Sequence, residues 1–391
     1  METDNLSFID LIRKSLCDVN PDDLEQFYTA LYPDRKTGIY IDGQIGGRSL
    51  QAAKVGLNRL AYILDKVNIY GAGDSLSPGR NTAEKMNNLA LVCGKVNYLG
   101  VSGSGRSKEI IGNIEKLKKF SDNDNFMFNV ITSYSDSPMG KLLQQYGGNI
   151  LTIKGRKSKD TQNSEYIKEG LLEDLFELAC VEATSIIARG IKDEIAPKNF
   201  YNYYIDTLDE LECLKNNISD IKKTPAYEEF LELLSNPARR FLSFGQSVSN
   251  EVVKMNNNRM GHVRPLTAEL IGLEPNIDLG IGANKNEVMG ESNTKDPDKN
   301  TVFLAVSKSG TGIAEGNLKQ ASDTGAQTFL LTKKGLHEKK FVLDTDNFYA
   351  GSCLFLSSCL MDVGNMLVEK GVSIDDSVLR ALHVNDKIGK Q

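Results

Sequence analysis

Histidine is scarce in this sequence, with three residues in 391, and none of the six cysteines forms a C-x-x-C pair. Structural zinc needs four closely spaced Cys or His ligands, so no metal centre is expected. Cys17, Cys93, Cys180, Cys213, Cys353 and Cys359 sit mostly among apolar neighbours, as reduced core thiols do. An excess of positive charge is missing too. The net charge of −6 and the pI of about 5.4 give no electrostatic footprint for nucleic acid. Any phosphate bound here is expected to belong to a small molecule and to be held by local dipoles. The short basic run at 154–159 is the exception and reads as a solvated loop. Apolar runs of membrane-spanning length are absent, and the acidic, polar N-terminus has no basic segment followed by an apolar one. Neither a membrane partner nor an export signal is expected, and a reducing, cytoplasmic location fits.

What is present is a soluble composition, 40% hydrophobic and 25% charged, in a chain long enough for two domains. One stretch organises it. Val101-Ser102-Gly103-Ser104-Gly105-Arg106-Ser107-Lys108-Glu109 returns as Val306-Ser307-Lys308-Ser309-Gly310-Thr311-Gly312-Ile313-Ala314-Glu315, each copy between an apolar run and a helix start. Hydroxyls and backbone N–H groups converging at a helix N-terminus favour an anion, and phosphate in particular. A serine there also serves as an N-cap or turn residue, which is its commonest use at a helix start.

Along the chain, residues 1–36 read as a helical N-terminal segment, and from Gly38 short apolar strands alternate with helical patterns. Strands are predicted at 39–41, 67–70, 96–101, 126–131 and 149–153, with helices at 50–64, 81–92, 107–120, 138–146 and 164–189. Strands joined by helical crossovers imply a parallel sheet covered on both faces. Residues 37–190 form the first unit, 191–236 a charged, Tyr-rich helical connector, and 237–391 the second unit. In that second unit the last strand is predicted at 340–343, the last helix at 352–370, and a long Gly- and Asn-rich loop at 272–300.

The two units repeat each other. Lys54, Asn58, Arg59 and Thr132 find Lys254, Asn258, Arg259 and Thr332 at an offset of 200, while the serine loops match at 205. Offsets that hold over several elements point to duplication of an entire α/β unit. Gly71-Ala72-Gly73 begins a loose G-x-G-x-x-G, but Leu occupies position 76, so no dinucleotide site is expected.

The strand order, with S-x-S-G after the third strand and Thr-Ser after the fourth, resembles the sugar isomerase (SIS) domain, and the first unit resembles 6-phospho-3-hexuloisomerase. The resemblance runs through Gly47-Arg48-Ser49, Ala53-Lys54, Arg59-Leu60, Gly71 to Pro78 and Val101 to Gly105. It continues in Ile131-Thr132-Ser133, Asp136-Ser137-Pro138, Lys154-Gly155-Arg156 and Leu175-Phe176-Glu177-Leu178-Ala179. The second unit is similar more loosely, through Ser307-Lys308-Ser309-Gly310. The resemblance implies two tandem flavodoxin-like units, each a five-stranded parallel sheet sandwiched by helices. A phosphosugar would bind at the carboxyl ends of the strands, and dimerisation is common in the family.

By the same resemblance, Ser49, Ser102, Gly103, Ser104 and Ser107 are the phosphate ligands, with Ser247, Ser307, Lys308 and Ser309 as second-unit candidates. Glu177 is the implied base for aldose-ketose isomerisation of a hexose or hexulose 6-phosphate through an enediolate, which needs neither metal nor redox cofactor. On a helical wheel it lies beside Cys180, Val181, Thr184 and Ala188, opposite a stripe of Leu172, Leu175, Phe176, Ala179 and Ala183. The sequence departs from the family in having Glu173-Asp174 before Phe176-Glu177 and Tyr62 where a histidine is usual, so Tyr62 and His262 are the candidate proton donors. Gly312 stands opposite Ser107 and Ser358 opposite Glu177, which leaves the base in the first unit alone. A phosphosugar sensor without turnover and a sugar-phosphate amine deglycase are the alternative readings.

Overall fold

The computed structural model describes residues 6–32, 37–43, 48–63, 67–72, 81–120, 122–155, 172–236, 239–257 and 297–369. These divide into two units, Phe8–Ser164 with Leu171–Leu211, and the chain from Glu212 onward, with which Leu6 and Ser7 are grouped. Among the described residues no helix is long and apolar enough to cross a membrane.

The first unit opens with α1 (Ser7–Cys17) and α2 (Pro21–Leu31). The start of α2 is fixed locally: Asn20 accepts from the N–H groups of Asp22 and Asp23 at 2.9 and 3.1 Å, and Pro21 opens the helix. Then follow β1 (Thr37–Asp42), α3 (Arg48–Ile63), β2 (Val67–Gly71), α4 (Thr82–Cys93), β3 (Lys95–Val101), α5 (Lys108–Leu117), β4 (Phe126–Thr132), α6 (Pro138–Gln144), β5 (Asn149–Thr152) and α7 (Leu172–Lys192). The five strands are all parallel in the order β2-β1-β3-β4-β5. On one face Tyr40, Tyr98, Phe128 and Val130 pack against Met86 and Leu89 of α4, Ile110 and Ile114 of α5, and Met139 and Leu143 of α6. Alternate strand residues point the other way, toward α3 and α7.

The two N-terminal helices belong to this unit. Tyr28 of α2 stacks on Phe200 of α8 (Pro197–Leu208), ring centroids 3.6 Å apart, and donates its hydroxyl to the Ile195 carbonyl at 2.8 Å. The stretch read as a connector contains α8, α9 (Glu210–Lys222) and α10 (Pro225–Leu234). Of these, α8 packs on α2 in the first unit and α10 on the last helix of the second.

The second unit contains β6 (Arg240–Gly245), a helix α11 at 248–257, β7 (Thr301–Val306), α12 (Ile313–Asp323), β8 (Gln327–Thr332), β9 (Lys340–Val342) and α13 (Phe348–Glu369). Its four described strands are parallel in the order β6-β7-β8-β9, the counterpart of β1-β3-β4-β5. The fifth strand expected here, and the 272–300 loop up to residue 296, fall outside the described residues. One face of this sheet buries Leu242, Phe244, Phe303 and Ala305 against Ala314, Leu318 and Ala321 of α12. An aromatic cluster of Phe230, Phe241, Phe329, Phe341 and Phe355 fills the unit from α10 and α13. The fold is thus α/β with flavodoxin-like parallel sheets. All six cysteines are free thiols, with Cys93, Cys180, Cys353 and Cys359 buried and Cys17 and Cys213 exposed.

Candidate functional site

In a 2-1-3-4-5 sheet the strand order reverses between β1 and β3, and ligands of open α/β sheets bind beyond the carboxyl ends of the strands at that point. The chain after β1 leads to Ser49 on α3, and the turn after β3 is the serine loop, so Ser49 and that loop flank this point. The loop is held by its own backbone. Ser102 N–H continues the ladder to the Ile131 carbonyl at 3.1 Å, and the carbonyls of Ser102, Gly103 and Gly105 accept from Gly105, Ser133 and Met139 at 3.0, 3.0 and 3.1 Å. The negative ends of those peptide dipoles are therefore committed inward. Gly105 sits at φ 59°, and a Cβ there would lie 2.1 Å from Ser137 Oγ. Only glycine fits such a conformation and such an approach.

Ser102 and Gly103 are buried, Ser104 is exposed and accepts from the Arg106 N–H at 3.3 Å, and Ser107 is half-buried. Ser107 occupies the N-cap position of α5 but makes no capping bond with its side chain. The plain N-cap use of this serine is not the one it has, and its hydroxyl is not spent on the helix end.

Glu177, buried on α7, accepts a hydrogen bond from Ser49 Oγ at 3.0 Å. That contact follows from helix packing. Gly56 of α3 lies against Thr184 of α7, close enough that a Cβ on Gly56 would be 2.0 Å from Thr184 Oγ1 and 2.7 Å from its backbone carbonyl carbon. Ser49 precedes Gly56, and Glu177 precedes Thr184, by the same seven residues. The helices therefore run parallel in a register that the glycine permits. The opposed faces expected for α7 are not distinguished by exposure, because Phe176, Glu177, Cys180, Val181, Thr184 and Ala188 are all buried. Packing of α3 on α7 covers the side that periodicity alone leaves open.

One acid was missed by the sequence reading. Asp42, at the carboxyl end of β1, accepts from Tyr98 Oη at 2.6 Å and Asn113 Nδ2 at 2.9 Å. Burial pushes its carboxyl above the usual range, and the two donors oppose that shift without cancelling it. Asn113 lies on α5, so Asp42 ties the helix behind the serine loop to β1 and β3. An aspartate closing the apolar run Ile39-Tyr40-Ile41 was the available signal.

In the second unit the loop after β7 has the same backbone plan. Ser307 N–H donates to the Leu331 carbonyl at 3.0 Å and Lys333 N–H to the Lys308 carbonyl at 3.2 Å, and Gly310 takes φ 68°. Here the structure brings all four second-unit candidates together: Ser247, Ser307, Lys308 and Ser309 line one cleft of about 440 Å³. Lys333 and Lys334, which the sequence reading did not select, line it as well. Their position after Thr332, matching Ser133 and Tyr134 after Thr132, was the signal that could have found them. Ser358 is buried on α13 and donates to the Phe355 carbonyl at 2.7 Å. His262 and the side chain of Tyr62 lie outside the described residues; the backbone of Tyr62 is part of α3.

By sequence the chain matches no family model and no curated protein. Its fold does match solved structures. A provisionally named phosphosugar isomerase from Silicibacter pomeroyi superposes with a TM-score of 0.60 at 14% identity, covering 95% of this chain and 100% of the other. Tagatose-6-phosphate ketose/aldose isomerase from Escherichia coli gives 0.56 at 12% identity, over 93% of this chain and 89% of that one. The C-terminal domain of glucosamine-fructose-6-phosphate aminotransferase from Francisella tularensis gives 0.55 at 13%, over 96% and 98%. The chain thus shares, over nearly its whole length, a fold found in phosphosugar isomerases.

Proposed function

We propose that the chain is a phosphosugar isomerase that interconverts an aldose and a ketose 6-phosphate at the first unit. The observation that carries this reading is the bond from Ser49 to Glu177, which fixes a buried carboxylate beside the strand-order reversal that the Ser102–Ser107 loop also flanks. The loop takes the phosphate through backbone N–H groups and the hydroxyls of Ser102, Ser104 and Ser107. Ser49 acts as a positioning residue: while it donates to Oε1 of Glu177 it orients that carboxylate, and a phosphate dianion on the same hydroxyl would face the carboxylate's charge. The phosphate therefore sits on the loop, with the reacting end of the sugar toward Glu177.

Glu177 takes the proton from the carbon next to the carbonyl, the electron pair forms the enediolate, and the proton returns to the neighbouring carbon. A second group protonates the carbonyl oxygen and recovers its proton, so the net change is an isomerisation with no oxidant or reductant. Tyr62, whose helix α3 belongs to the same unit, is the candidate for that second role. The fold shared with tagatose-6-phosphate ketose/aldose isomerase supports the reaction class. Incubating the purified chain with a panel of hexose and hexulose 6-phosphates and following interconversion by NMR tests it: one substrate turned over supports the reading. Binding without turnover of any of them leaves a phosphosugar-binding protein, the reading favoured by the cleft in the unit with Ser358 opposite Glu177.

A further inference from the structure

Asp42 of the first sheet has no acidic counterpart in the second. By register Asp42 pairs with Gly100, two residues before Ser102, whereas Phe244 pairs with Ala305, two residues before Ser307. Tyr98, four residues before Ser102, answers to Phe303 in the same way. On the helices that follow, Asn113 precedes the buried Ile114 and Asn317 precedes the buried Leu318. The second unit thus keeps the amide but replaces the acid and the phenol by phenylalanine. Among the described residues neither polar atom of the buried Asn317 side chain has a hydrogen-bond partner, while Asn113 is tied to Asp42. The network therefore belongs to the unit that carries Glu177.

Its setting favours an uncharged acid. Asp42 is 1% exposed, both donors reach Oδ2, and Oδ1 is buried with no hydrogen bond among the described residues. No described cationic side chain pairs with it. A buried carboxylate without a counter-ion is costly, and the neutral acid avoids that cost. Burial is the main cause that pushes the carboxyl up and Glu109 of α5 adds to it, against Tyr98, Asn113 and the Gly43 peptide. Burial and Asp42 push the Tyr98 hydroxyl up as well, so Tyr98 remains a donor. The acid is also close to the loop. Two residues of strand separate its level from Ser102, about 7 Å. Over its register partner Gly100, Ile110 of α5 packs so closely that a Cβ there would lie 3.2 Å away.

We infer that Asp42 is a positioning residue of the first-unit site, a neutral acid that holds α5 to β1 and β3 beneath the serine loop, and that ionisation of this carboxyl weakens the binding of a phosphoryl dianion there. The inference rests on the phosphate reading of that loop. Asp42 acts through Asn113 and the start of α5, and its proton removes a negative charge from beneath an anion site. By linkage, a bound dianion must in turn hold that proton more tightly.

The test is NMR of the full chain carrying 13C-labelled aspartate and 15N-labelled serine, titrated across the acid and neutral pH range with and without inorganic phosphate. The Asp42 carboxyl resonance is assigned by its loss in Asp42→Asn, or, if that variant fails to fold, by its displacement in Tyr98→Phe, which removes one donor. The amides of Ser102, Ser104 and Ser107 report phosphate at the loop. Saturating phosphate should raise the Asp42 midpoint by about one pH unit or more, the size of the repulsion between charges about 10 Å apart at an effective dielectric constant of about 20. Wild type should correspondingly lose about tenfold in phosphate affinity relative to Asp42→Asn as Asp42 ionises, the titration of phosphate itself being common to both. Loop amides that respond to phosphate while the Asp42 curve stays the same, or an affinity ratio constant with pH, would overturn this inference alone and leave the loop as the phosphate site. Loop amides silent to phosphate would overturn the phosphate reading and this inference with it.

Discussion

Replacing Gly56 by Ala sets two known effects against each other. Alanine is the better helix former, and at an exposed position the change would stabilise α3 by about 1 kcal/mol. Here the new Cβ meets Thr184 Oγ1 at 2.0 Å and the Thr184 carbonyl carbon at 2.7 Å. A rotamer change removes the first contact, but the second is to helix backbone. Carbon atoms pack best at about 3.5–4.0 Å, so α3 and α7 must separate by about 1 Å. Overpacking of this kind costs about 1–3 kcal/mol, and opening the interface also loses dispersion along its length. The packing term therefore outweighs the propensity gain, for a net loss of about 1–2 kcal/mol and a fall in Tm of roughly 2–8 °C. The same separation takes the Ser49–Glu177 bond from 3.0 Å to about 4 Å, outside hydrogen-bond range. Thermal melts followed by circular dichroism and turnover of the substrate found by the panel read the two consequences. A Gly56→Ala protein that melts higher than wild type would refute the packing argument, and one that melts lower at full activity would refute the link from register to site.

Two further outcomes follow from the serine loop and its support. Gly105→Ala combines a left-handed alanine, about 1–2 kcal/mol, with a clash that displaces the Ser137 cap of α6; the companion change Ser137→Gly should recover the clash component, visible as non-additivity in a urea double-mutant cycle. Asp42 keeps its proton in the folded state at pH values where the unfolded chain has released it, so stability is favoured below the ordinary value of 3.8 and is lost as pH rises through the higher folded value. Urea midpoints from pH 4 to pH 7 should show wild type losing ground to Asp42→Asn as pH rises, and parallel curves would contradict this.

Much of the fold was legible because the strands are short apolar runs between turn signals: those predicted at 67–70, 96–101 and 126–131 are observed at Val67–Gly71, Lys95–Val101 and Phe126–Thr132. The loop positions after β3 and β7 were legible for the same reason, since small residues interrupt an apolar run. What periodicity could not supply was the contact between elements distant in sequence. Glu177 looked like a residue on a secondary face because the partner of that face, α3, begins over a hundred residues earlier. Gly56 read as an unremarked helix position, and only the backbone of Thr184 explains it. Lys333 and Lys334 lie outside the serine motif and join the cleft through the adjacency of β7 and β8. The helices α1 and α2 read as a separate preface because their apolar stripes do not announce which core they enter; the Tyr28–Phe200 stack places α2 in the first.

Under the proposed function, Glu177 moves a proton between adjacent carbons of a bound sugar phosphate. Incubating the chain with hexose 6-phosphates in D2O and following the C2 proton by NMR measures that step directly, apart from product release. Wild type should wash out the C2 proton of its substrate, and Glu177→Gln should do so about 10²–10⁴-fold more slowly while still binding the phosphate ester. Exchange at the wild-type rate in Glu177→Gln, or no exchange by wild type with any hexose 6-phosphate that it binds, would contradict the account.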